Sequence, residues 1–192
     1  MHTTRSLTRS RMLLSALVVL AAASVQAAES PRADQEKERG LIQLLQSDAP
    51  PADKALACKQ LAIYGSPAAV SELAKLLTDA HLASWTRIAL EAIPGPAADE
   101  ALRNAIPKLQ GLLLVGTINS IGVRRDAAAV EALSGRLQDQ DAEVASAAAV
   151  ALGKIGNAAA TKNLRQALAG APPAVRSAVA EGCVLCAERL LA

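Results

Sequence analysis

Four leucines set the rhythm of the chain. Leu73, Leu102, Leu133 and Leu164 stand 29, 31 and 31 residues apart, and each is followed four residues later by Leu77, Ile106, Leu137 or Leu168. An apolar i, i+4 pair marks one face of a helix, so each unit contributes an amphipathic helix that buries the same face. Upstream of each pair stands a glycine, at Gly65, Gly95, Gly122 and Gly156, with Pro, Asp or Asn close behind it. Glycine ends a helix in the left-handed conformation, and proline or a polar cap starts the next. Before each glycine runs a second apolar stretch, such as Val144 to Ile155. The pattern predicts helix, turn, helix in each unit of about 30 residues, and periods of that size mean stacked repeats that bury their apolar faces only against neighbours. The stretch from Lys108 to Gly122 is irregular, with Gly111, Gly116 and Gly122 where the first helix of a unit is expected.

One stretch is similar to a known repeat. Asp139 to Leu168 reads DQDAEVASAAAVALGKIGNAAATKNLRQAL. It has an acidic turn, Val144 at the start of the first helix, Ala-Leu-Gly-Lys-Ile-Gly at its end, and Leu-x-x-x-Leu in the second helix. This resembles a HEAT repeat of the short bacterial, phycobilisome-lyase-like kind. Weaker copies cover residues 53–77, 82–109 and 111–138, and a partial one begins at Pro172. The resemblance implies an all-α fold, a right-handed α-solenoid of about four to five stacked helix-turn-helix units over residues 40–192. It says little about function, because this architecture hosts many unrelated roles.

The N-terminus has a different character. Arg5, Arg9 and Arg11 precede an apolar run from Met12 to Ala23, and Val25-Gln26-Ala27 suits a cleavage site. Residues 1–27 therefore read as a signal peptide, and residues 28–39 as a polar linker. The run is short for a transmembrane helix, although a retained anchor is the other reading. Both place the folded part outside the cytoplasm, periplasmic or secreted.

Composition narrows the function. Of 192 residues 52% are apolar, with one Trp, one Tyr and no Phe, so the core must be built from Ala, Leu, Val and Ile. Removing the three N-terminal arginines from the 20 basic residues leaves 17 against 18 acidic, a net charge of −1. That balance, with few aromatics to stack on bases, disfavours nucleic acid, and anionic membranes for the mature form.

Searches for chemistry return little. Cys183-Val184-Leu185-Cys186 is the one suggestive motif, but Ala187 stands where haem attachment needs a histidine. Counting back 31 and 62 residues places Cys183 on Leu152 and Leu90, and Cys186 on Ile155 and Ile93, which are core positions. Cys58 is matched with Ile88 and Val150 in the same way. A disulfide or reactive thiol pair at Cys183 and Cys186 is the other reading. His81 is expected at a helix-capping turn, Asp126 as an N-cap, and Trp85 and Tyr64 as core fillers. No catalytic residues, cofactor or metal ligands are expected, nor an enclosed small-molecule site. A bilin-lyase activity would rest on the family name alone.

In HEAT arrays the second helices line the concave side, which is the usual binding face. Its outward positions are read here as Glu72, Lys75, Asp99, Arg103, Glu131, Lys162 and Gln166. Their mixed signs point to a protein or peptide partner. The expectation is a non-catalytic interaction scaffold. An accessory module of a larger exported enzyme is the alternative, and a lyase or thiol-redox protein using the cysteine pair a more distant one. The last helix, Val175 to Leu191, has no expected partner, which suggests either a binding face or a longer protein.

Overall fold

The computed structural model describes residues 32–191, so the expected signal segment lies outside the described residues. Ten helices follow one another with no strand among the described residues. Helix α1 covers residues 32–46. It is followed by α2 (Pro51–Tyr64), α3 (Val70–Lys75), α4 (Ala83–Ala92), α5 (Pro96–Ala105) and α6 (Gly111–Arg124). Then come α7 (Val130–Arg136), α8 (Ala142–Ile155), α9 (Ala158–Gly170) and α10 (Pro173–Leu191). Short 3-10 turns extend α3 at both ends, α5 at its end and α7 at its start.

The even-numbered helices pack side by side as one layer, α2 on α4, α4 on α6, α6 on α8 and α8 on α10. The odd-numbered helices lie against them, with α3 next to α5 and α7 next to α9. The result is an all-α solenoid of helical repeats. Leu73, Leu102, Leu133 and Leu164 are all fully buried, each contributing about 1.5–3 kcal/mol of transfer free energy. The register also runs one step further back, since Leu41 and Leu45 of α1 are buried in the same core.

Caps recur with the leucines. Ser66, Asp126 and Asn157 each accept a backbone N–H of the helix they open, and Gly95, 31 residues before Asp126, starts α5 at φ 93°. Asp79 closes the turn before α4 by accepting the N–H groups of His81 and Leu82, leaving the His81 ring exposed.

Several expectations need correction. Residues 32–39 are not linker but the first turns of α1: Glu38 is buried and accepts the Ser66 N–H at 2.6 Å, and Lys37 lies 3.8 Å from the centre of the Tyr64 ring. Charged residues of good helix propensity looked like a solvated spacer, but they are contacts. The stretch after Lys108 is a regular helix, and Gly122 sits inside it rather than at a turn. A Cβ there would meet Ala151 Cα at 2.9 Å, so the glycine serves close packing of α6 on α8, and Arg125 takes the left-handed turn at φ 56°. Leu168 is 38% exposed, unlike the other second members of its series. Trp85 is not a core filler either, being 41% exposed.

Candidate interaction surface

The odd-numbered helices present their outer sides to solvent, and a simple rule finds those sides. Each register leucine points inward, so the residues two positions before and after it point roughly the opposite way on a helix of 100° per residue. They are Ser71 and Lys75, Glu100 and Asn104, Glu131 and Gly135, Lys162 and Gln166, and all eight are exposed. Their charges run Lys75, Glu100, Glu131, Lys162, so the surface is cationic at both ends and anionic in the middle. Between α3 and α5 it holds an open hollow of about 460 Å³, whose lining includes apolar Val70, Leu77 and Ala101 and polar Ser71, Glu100, Asn104 and Lys108. A second open hollow of about 530 Å³ is lined by Thr161, Lys162, Arg165, Gln166 and Leu190.

Of the seven residues expected on this surface, Lys75, Glu131, Lys162 and Gln166 are on it. Glu72 lies to one side, only 15% exposed, and holds Lys75 at 2.8 Å. Hydrogen bonds from Lys75 and Gln46 keep its carboxyl below the ordinary carboxylate range. Asp99 and Arg103 are turned away from partners. Asp99 accepts from Arg124 Nε at 2.5 Å, and Arg103 is paired with Asp126. Both sit three residues before or one after Leu102, on the flank of α5 that faces the next turn, and not two away. Glu100 and Asn104 take the outward positions, which the same rule, applied strictly, would have identified.

Arg124 does more than pair with Asp99. Its guanidinium donates to the carbonyls of Leu90, Glu91, Ile93 and Gly95 at 2.8–3.0 Å. These are the last acceptors of α4 and of the loop after it, groups that a helix leaves without partners. A cation at a helix C-terminus is also favoured by the helix dipole. Asp126 accepts from Ala128 N–H as the expected N-cap, so the Arg124-Arg125-Asp126 cluster ties α4, α5, α6 and α7 together.

The cysteines are free thiols. Cys58 and Cys186 are fully buried, and Cys183 is half-buried. Burial first, and then the proximity of Cys186, push the Cys183 thiol up, with Arg165 pulling weakly the other way. Burial likewise raises Cys58, which is 3.7 Å from Thr86 Oγ1. High thiol pKa values mean little thiolate at neutral pH and so weak nucleophiles. Ile88, matched with Cys58 in the sequence register, is 46% exposed, so that match was displaced by the shorter first period. Among the described residues no group of three His, Cys, Asp or Glu stands where it could hold a metal ion.

Comparison with known families adds one finding. Residues 114–183, from α6 into α10, match the model of HEAT repeats, which supports a HEAT-repeat protein. The matched stretch is where the even-numbered helices approach most closely: a Cβ on Gly122 would meet Ala151, and one on Gly153 would meet Gly182 Cα at 2.6 Å. No curated protein matches the chain significantly.

Proposed function

We propose that this chain is a non-catalytic scaffold that binds a protein or peptide partner on the outer side of its odd-numbered helices, outside the cytoplasm. HEAT repeats generally act as protein-interaction scaffolds. The observation that carries the reading is the ladder of eight exposed positions from Ser71 to Gln166, with charges of both signs beside open hollows. Mixed signs suit a folded or extended polypeptide of matching pattern and give a polyanion no continuous track. The basic start and apolar run Met12–Ala23 support export.

The test is affinity capture from the exported fraction of the source cells, with wild type and a Glu100→Lys/Glu131→Lys variant as baits. A specific polypeptide held by the wild type and weakened at least about tenfold by reversing the two central charges is expected, since lost or repulsive pairs in an interface cost on the order of 1.4 kcal/mol or more. A partner held equally by both baits would remove this surface from the proposal. No partner, together with cytoplasmic recovery of the chain, would overturn the reading.

A further inference from the structure

The even-numbered helices also have an outer side, and its chemistry changes along the array. It carries Leu56, Lys59 and Ile63 on α2 and, in register with them, Trp85, Ile88 and Ala92 on α4; on α6 it carries Asn119 and Val123 in the same register and Leu112 one turn before the position equivalent to Trp85. On α8 the corresponding positions are Glu143, Val150 and Lys154, and on α10 Glu181 and Leu185. Six large apolar residues of this side stand on three neighbouring parallel helices, where Leu56, Ile63, Trp85, Ile88, Leu112 and Val123 are between 41% and 77% exposed.

We infer that this face is a self-association surface, on which a second copy of the chain docks about a two-fold axis that lies in the interface along the exposed side of α4. Three observations carry the inference. First, size: six large apolar side chains, each at least 41% exposed, stand on three adjacent helices, which is more than the singly scattered apolar residues of a monomer surface and suits the core of an interface to which each partner gives ~800 Å². Second, symmetry: the patch is centred on α4 with one flanking helix on each side, so a two-fold axis there lays α4 on its own copy and α2 on α6. With the axis running along α4, such an isologous contact sets Trp85 against Trp85 of the second copy. Third, charge: Lys59 is the charged residue among the nine positions named on α2, α4 and α6, and the two-fold axis lays it on the Asn119 side of the second copy, away from the other Lys59. A single aromatic anchor among aliphatic residues, with charges displaced to α8 and α10, is the composition of an interface core with a polar rim. The odd-numbered helices stay uncovered, so this surface is independent of the partner surface proposed above.

Trp85 is the only tryptophan in the chain, so its fluorescence reports this face alone. Light scattering and sedimentation of the purified full chain are expected to give twice the monomer mass at about 100 µM, where a dimer with a Kd of about 10 µM is mostly formed. Trp85 emission should shift to the red by several nanometres on dilution. Ile88→Glu and Leu112→Glu should each give a monomer whose emission no longer depends on concentration. Both side chains are exposed, and an unchanged circular dichroism spectrum verifies that the fold is kept. A wild-type chain that stays monomeric at 100 µM overturns the inference, whether or not another protein covers Trp85. So does a dimer that persists in both variants, which would place the contact elsewhere.

Discussion

At the scale of single residues the most consequential side chain is Arg124, only 9% exposed yet bonded to one carboxylate and four carbonyls. Replacing it by Ala leaves the end of α4 and Asp99 without those donors. Breaking a largely buried, charge-assisted network in this way is expected to cost about 2–4 kcal/mol, read as a lower urea midpoint at unchanged slope. Arg124→Lys should recover less than half of that, because one ammonium cannot place donors on carbonyls from Leu90 to Gly95. Equal stability of Arg124→Lys and wild type would show that the charge alone matters. None of this was legible beforehand. Arg124-Arg125-Asp126 reads as a charged turn, and the capping part of that reading holds for Asp126. What sequence could not show is that the loop after α4, 30 residues upstream, lies under the guanidinium, since that depends on how far one repeat is offset from the next. The same offset explains Asp99 and Arg103. Both read as outward polar positions of a helix, but their partners Arg124 and Asp126 lie on the neighbouring unit.

At the scale of elements, glycine has two opposite meanings in this chain, and the helices distinguish them. Gly153 of α8 lies on Gly182 of α10, where an added Cβ would meet backbone at 2.6 and 2.8 Å. Backbone cannot move aside as a flexible side chain can, so Gly153→Ala should destabilise by about 1–3 kcal/mol, outweighing a helix-propensity gain of about 1 kcal/mol. Gly135 of α7 is exposed, and an added Cβ meets no atom within 4 Å. Gly135→Ala should therefore stabilise by about 0.5–1 kcal/mol. Thermal melts of the two variants moving in opposite directions would establish the distinction, whereas a stabilised Gly153→Ala would mean that α8 and α10 lie further apart. The helices themselves were readable because the i, i+4 leucines and the period of about 30 carry both spacing and facing. The role of each glycine was not, because a turn and a close approach favour the same residue and differ only in what lies opposite.

For the whole molecule, the array divides by how its neighbours meet. From α6 to α10 the contacts are small residue on small residue, and α8 is buried nearly all round, with Val144, Ala145, Ala147, Ala148, Ala149, Ala151 and Leu152 all in the core. The junction of α4 with α6 is polar. Ser120 donates to Glu91 at 2.6 Å, and Arg87 lies across Gly116, its burial lowering the guanidinium below the ordinary arginine value. Thr117 is buried there as well, bonded back to its own helix. In a solenoid, stability is close to a sum of unit and nearest-neighbour terms, so a weaker junction lets one end open while the other stays folded. A buried polar junction contributes less than the apolar contact it replaces, because desolvation offsets most of the gain from its bonds. Native-state hydrogen exchange should accordingly show the highest protection in α8, close to the global unfolding free energy, with α1 to α3 exchanging through a smaller opening. Arg124 crosses the junction from the α6 side, so Arg124→Ala should widen the gap by lowering protection in α4 far more than in α8. Uniform protection from α2 to α10, shifted equally by that substitution, would instead mean that the polar junction couples its neighbours as tightly as the glycine contacts do.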